Sequence, residues 1–134
     1  MDDSDHNSSA EAGVKVLYIE DNSANIKLMQ DIFSEFLPYD FISAMNAKEG
    51  IALAKEQQPG LILMDINMEG MDGLEAFELI KHDANLATIP VFAISGDAMP
   101  EQIEKALALG FSDYISKPFN ILNLIETINQ CLNK

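Results

Sequence analysis

The sequence predicts an α/β protein, a parallel five-stranded sheet covered on both faces by five helices. Three observations lead there. Short apolar runs of strand length alternate with longer stretches at helical spacing, five of each along the 134 residues. Leu61-Ile62-Leu63-Met64 and Pro90-Val91-Phe92-Ala93-Ile94 are continuously apolar, as strands buried on both faces are. Polar residues capable of chemistry stand where several runs end. Strict alternation implies parallel strands, because right-handed crossovers put the helices on the faces.

The elements follow in order. Residues 1–13 carry no periodic apolar pattern and are expected to be a flexible acidic tail or linker remnant, with the domain over 14–134. Val14–Ile19 is a β-rich run closed by an acidic pair. Ser23–Phe36 sets Ile26, Met29, Ile32, Phe33 and Phe36 at helical spacing. Phe41–Ala44 is a short strand, and Ala47–Gln57 a helix closed by Pro59-Gly60. After the strand Leu61–Met64, Gly70-Met71-Asp72-Gly73 reads as a turn, with Asp72 placed to cap a helix from Leu74 to about Lys81. Pro90–Ile94 is the fourth strand. Pro100 suits the first turn of a helix reaching Leu109, and Gly110 suits its stop. Ser112–Ser116 is the last strand. Asn120 then caps a helix with Ile121, Leu124, Ile125, Ile128 and Leu132 inward.

Composition narrows the function. The chain is 48% apolar and 22% charged, which fits one ordinary folded domain. Eight basic residues against 22 acidic ones give a formal net charge of -14. Such a surface repels phosphate backbones and anionic lipid, so neither nucleic acid nor membrane is an expected partner. No apolar run has the length of a membrane-spanning helix, and the N-terminus lacks the pattern of a signal peptide. Cys131 is the only cysteine, and a cytoplasmic location is expected.

Five polar positions carry the chemical argument. Glu20 and Asp21 follow the first strand, Asp65 the third and Ser95 the fourth, and Lys117 stands just beyond the fifth. In a sheet of this kind these carboxyl ends converge on one edge. Three converging carboxylates repel one another and call for a cation, and hard oxygen ligands suit Mg²⁺. A carboxylate there could accept a phosphoryl group as an acyl phosphate, with the cation, the Lys117 ammonium and the Ser95 hydroxyl each meeting one of its oxygens.

From about Val14 to Leu132 the chain resembles a receiver domain of the two-component response-regulator family. The matching stretches are Tyr18-Ile19-Glu20-Asp21-Asn22, Leu63-Met64-Asp65-Ile66-Asn67-Met68, Gly70-Met71-Asp72-Gly73, Ile94-Ser95-Gly96 and Lys117-Pro118-Phe119. Each is weak alone; their joint order and spacing are specific. The resemblance implies a doubly wound, flavodoxin-like sheet of strand order 2-1-3-4-5. It implies Asp65 as the phosphoacceptor and Lys117 as the phosphate-binding lysine. Asp21 would ligate Mg²⁺ directly, Glu20 directly or through water, and Asn67 through its backbone carbonyl, with Mn²⁺ a possible substitute. Ser95 would be the switch hydroxyl and Tyr114 the aromatic that changes rotamer with it. A cis Lys117–Pro118 bond is also implied, and X–Pro bonds adopt cis cheaply.

The implied partner is a histidine kinase or histidine phosphotransfer domain, docking around Asn25, Ile26 and Met29. The final helix, Ile121 to Asn133, carries no Arg or Lys, so a monomer is expected. The chain would be a stand-alone regulator or a receiver from a larger protein such as a hybrid histidine kinase. Two departures stand out: Glu69 where a proline is common, and Ser95 in place of threonine.

Blander readings compete at each position. Asp65 and Ser95 could be loop caps, Lys117 a solvated lysine, and Tyr114 a packing residue. Asn67 and Asp97 flank the expected phosphate site and could place a hydrolytic water or simply shape loops. Cys131 is read as packing, and His6 and His82 have no ligand-spaced neighbours. A Mg²⁺-dependent phosphatase with an aspartyl nucleophile is the alternative function. It would need a second aspartate two residues on, where Asn67 stands, so the chain is expected to catalyse only its own phosphorylation and dephosphorylation. A nucleotide- or flavin-binding module would need a glycine- or hydroxyl-rich loop after the first strand, where Glu20-Asp21 stands.

Overall fold

The apolar runs and helical stretches fold into ten elements, and the computed structural model describes residues 13–68, 73–97 and 99–133. In chain order these are β1 (Lys15–Ile19), α1 (Ser23–Phe36), β2 (Asp40–Ala44), α2 (Ala47–Gln57) and β3 (Leu61–Asp65). Then come α3 (Gly73–Lys81), β4 (Val91–Ser95), α4 (Pro100–Leu109), β5 (Asp113–Ser116) and α5 (Ile121–Leu132). All four strand pairs are parallel, in the order β2-β1-β3-β4-β5. The chain winds outward from β1 to β2 and then returns to β3 on the other side. That reversal opens a crevice beyond the carboxyl ends of β1 and β3.

Side chains along a strand alternate between faces, and this splits the core in two. Val16, Tyr18, Leu61, Leu63, Phe92 and Ile94 pack with Met29 and Phe33 of α1 and Leu124 and Ile128 of α5. Leu17, Ile19, Ile62, Met64 and Ala93 pack with Ala47 and Ala54 of α2, Phe77 and Ile80 of α3, and Ala106 of α4. β3 and β4 are buried along their whole length, which is why they read as unbroken apolar runs.

Local chemistry fixes the helix ends. Asn22, Asn46 and Asn120 each accept a backbone N–H from the residue three further on, capping α1, α2 and α5. Pro100 opens α4, where a missing N–H costs nothing. Gly110 ends α4 at φ 118, a conformation that favours glycine.

The observed boundaries differ from the expected ones in small ways. Pro90 lies outside β4, although its carbonyl still accepts the Ile62 N–H. Phe36, expected inward, is 52% exposed, because α1 ends there and Leu37 turns into the core in extended conformation. Ile121, also expected inward, is 40% exposed: as the first residue of α5 its side chain leans back past the packed turns. The tail over residues 1–12 and the turn with Glu69, Gly70, Met71 and Asp72, including the expected Asp72 cap, lie outside the described residues.

Candidate functional site

The same alternation that divides the core sorts the polar residues. Glu20 continues the row of Val16 and Tyr18, Asp65 the row of Leu61 and Leu63, and Lys117 the row of Ile115; all three rows face α1 and α5. Backbone bonds carry the pairing one residue past the strands: Glu20 N–H to Ala44 at 3.0 Å, Ile66 N–H to Ile94 at 3.0 Å, Lys117 N–H to Ser95 at 2.8 Å. These bonds fix where the polar side chains begin. Asp65 and Ser95 prove to be the last residues of their strands rather than the first after them.

The side chains meet. Lys117 Nζ donates to Glu20 Oε1 at 2.9 Å and to Asp65 Oδ2 at 3.0 Å. Asp65 Oδ1 accepts the Asn67 N–H at 2.8 Å, and Glu20 Oε2 the Asn22 N–H at 3.1 Å. Glu20 and Asp65 are buried, so the contacts compensate charges removed from water. Burial alone would lower the Lys117 pKa, but its hydrogen bonds to Glu20 and Asp65 and their charges outweigh that and raise it. The lysine is held as an ammonium. Above the network lies an open cleft of about 910 Å³, with Asp21, Asn67, Asp97 and Met99 on its walls.

One ammonium does not balance three carboxylates. Glu20, Asp21 and Asp65 each offer an oxygen, and these three oxygens lie within 4.8 Å of one another. An all-oxygen donor set of this span fits a hard divalent cation. The cluster is therefore able to hold a metal ion.

Residues 16–129 match the family described as the response regulator receiver domain. This chain belongs to that family. It is 40% identical over 117 residues to the polar-differentiation response regulator DivK of Brucella anthropi, covering 87% of this chain and 94% of that protein. The DivK of Brucella ovis is 39% identical over the same length. Among solved structures, a response regulator from Desulfuromonas acetoxidans superposes with TM-score 0.81 at 28% identity, covering 90% of this chain and 97% of that one. The signal receiver domain of a DNA-binding response regulator from Colwellia psychrerythraea gives 0.84 at 26% identity, covering 90% and 99%. The protein is a receiver domain of two-component signalling, and the doubly wound fold expected from sequence is the fold it has.

Two other expected residues of the receiver sit differently. Ser95 belongs to the row of Val91 and Ala93, which faces α2, α3 and α4 instead. Its hydroxyl donates to Asn67 Oδ1 at 2.7 Å and accepts the Asp97 N–H at 3.0 Å. Asn67, whose own N–H is on Asp65, thus links Ser95 to the acidic cluster. Tyr114 packs against the same face as Ser95, and its hydroxyl donates to the Asp97 carbonyl at 2.6 Å. The Lys117–Pro118 peptide bond is cis, as expected.

One expected docking residue is corrected. Met29 is fully buried against the sheet, so it cannot contribute to a docking surface; Asn25 and Ile26, one turn earlier, remain partly exposed. Sequence reasoning also missed a side chain that touches the cluster. The buried Tyr18 hydroxyl donates to Glu20 Oε1 at 2.8 Å. Within the β-rich run it resembled any strand aromatic, yet its position two residues before Glu20 puts it on the same face.

Proposed function

We propose that Asp65 accepts a phosphoryl group from a phosphohistidine donor and that this modification switches a partner-binding face. The observation that carries the reading is the Lys117 ammonium lying 3.0 Å from Asp65 and 2.9 Å from Glu20, inside a carboxylate cluster of ligand spacing. In the transfer an Asp65 oxygen forms a bond to phosphorus while the P–N bond breaks, returning the electron pair to the donor imidazole. Lys117 follows the growing negative charge on the phosphoryl oxygens. The side chains of Glu20, Asp21 and Asp65, with the Asn67 backbone carbonyl, would hold Mg²⁺ or Mn²⁺, which when bound neutralises a phosphoryl oxygen.

Ser95 can reach that group only by giving up its bond to Asn67. Its movement toward the phosphoryl group leaves space for Tyr114, whose hydroxyl then leaves Asp97, and the surface from Met99 onward changes. Support for the modification comes from a solved relative, the phosphorylated cyanobacterial phytochrome response regulator RcpA, 26% identical at TM-score 0.76.

The partner is a histidine kinase or a histidine phosphotransfer domain, met at the cleft edge near Asn25 and Ile26. With a net charge of -14, the domain acts as a monomer in the cytoplasm without touching nucleic acid or membrane. Among the described residues no helix is long and apolar enough to cross a membrane. The protein catalyses only its own phosphorylation and dephosphorylation. Asn67 carries an amide where a phosphatase needs an acid, and its oxygen is engaged by Ser95.

Labelling by a small phosphodonor such as acetyl phosphate with Mg²⁺ tests the reading. The wild type is expected to gain one hydroxylamine-labile phosphoryl group by mass spectrometry, and Asp65→Asn none. Equal labelling of the variant would overturn the assignment.

A further inference from the structure

Glu20 is held in an asymmetric way. Its Oε1 accepts three hydrogen bonds, from the Tyr18 hydroxyl at 2.8 Å, the Lys117 ammonium at 2.9 Å and the Asn25 side-chain amide at 3.2 Å. Its Oε2 accepts the Asn22 N–H at 3.1 Å. A carboxylate oxygen has about two acceptor sites, so Oε1 is saturated. Two of the donors, Asn25 and Lys117, stand on the walls of the cleft. Tyr18 does not: its ring is fully buried in the core facing α1, and only its hydroxyl reaches Glu20. A ring packed on that side cannot follow Glu20 if the carboxylate turns.

We infer that Tyr18, assisted by Asn25, is a positioning residue that keeps Glu20 Oε1 from the metal, denies the site a bidentate carboxylate and thereby makes it selective for Mg²⁺ over Ca²⁺. With Oε1 saturated, only Oε2 of Glu20 would be available to the ion, beside the carboxylates of Asp21 and Asp65. Mg²⁺ keeps several waters in a small octahedral shell and tolerates such a site. Ca²⁺ takes more oxygens, often with both oxygens of one carboxylate, and gains most from a Glu20 free to turn. The inference deepens the metal-binding reading above and rests on it.

Titration calorimetry of the full chain with MgCl₂ and with CaCl₂ tests it. Tyr18→Phe removes one oxygen and keeps the ring. The ratio of Ca²⁺ to Mg²⁺ dissociation constants is expected to fall about tenfold, the low end of what loss of an outer-shell partner costs in metal affinity. A general loosening of the fold would weaken both ions alike and leave the ratio unmoved. Asn25→Ala removes a second donor to the same oxygen from a partly exposed helix position, and should shift the ratio the same way. It decides the matter if Tyr18→Phe does not fold. A wild type that binds neither ion would overturn the metal site and this inference with it. A wild type that binds Mg²⁺, with the ratio unchanged in the folded variants, would overturn the role of Tyr18 alone.

Discussion

Lys117 brings the only positive charge to the cleft among the described residues that line it, and it touches the two buried carboxylates at once. Replacing it separates two roles. In Lys117→Ala the acidic cluster loses its internal cation, so Mg²⁺ binding should persist and tighten. The rate of labelling by acetyl phosphate should fall about 10²-fold or more, the usual cost of removing one group that meets developing charge. Weakened Mg²⁺ binding in a folded variant, seen by calorimetry, would show that the lysine organises the cluster rather than serving the phosphoryl group. The carboxylates and the lysine were legible in sequence because each follows an apolar run. Tyr18 was not, because a phenol inside a strand gives no sign of whether its hydroxyl has a partner.

Two glycines show how closely the elements approach the site. A Cβ on Gly73, at the start of α3, would press on the Ile66 Cα and lie 2.9 Å from the Asp65 carbonyl oxygen. One on Gly50 of α2 would lie 2.5 Å from Cδ1 of Ile19. Backbone must move in the first case and the buried Ile19 side chain in the second. Gly73→Ala should cost about 1–3 kcal/mol and slow labelling of Asp65, whereas Gly50→Ala should cost less and leave labelling near wild type. Urea unfolding and acetyl phosphate labelling check both, and the reverse ranking would show that the β3–α3 connection is the more compliant part. Element type and order were readable from periodicity. The ends of α1 and α5 were not: a helical stripe predicts Phe36 and Ile121 inward, but only the packed sheet decides where a helix outruns its cover. At the far end of α5, the Tyr39 hydroxyl donates to Asn129 Oδ1 at 2.8 Å and lies 3.2 Å from Asn133 Oδ1, a tie between distant segments that no local pattern announces.

At the scale of the molecule, a formal charge of -14 makes folding electrostatically costly, and part of that cost is concentrated at the site. Binding of Mg²⁺ to the folded cluster alone should raise stability by about 2.7 kcal/mol at a hundred times its dissociation constant. Melting curves should therefore shift upward with MgCl₂ by more than with KCl of equal ionic strength, which only screens the surface. An identical shift with both salts would speak against a specific cation site.

The sequence by itself determined the layers and their order of succession, because hydrophobic period and turn chemistry are local properties. It also determined which polar residues would stand at the sheet's carboxyl edge, since each closes its apolar run or comes just after it. Tertiary structure decided what those residues do to one another. Whether Lys117 reaches Glu20 and Asp65 depends on strand order and register across a separation of 97 residues in one pair and 52 in the other. The division between Ser95 on one face and Asp65 on the other, bridged by Asn67, likewise depends on how adjacent strands align. Long-range pairing of this kind is a property of the packed sheet, and no window of sequence contains it.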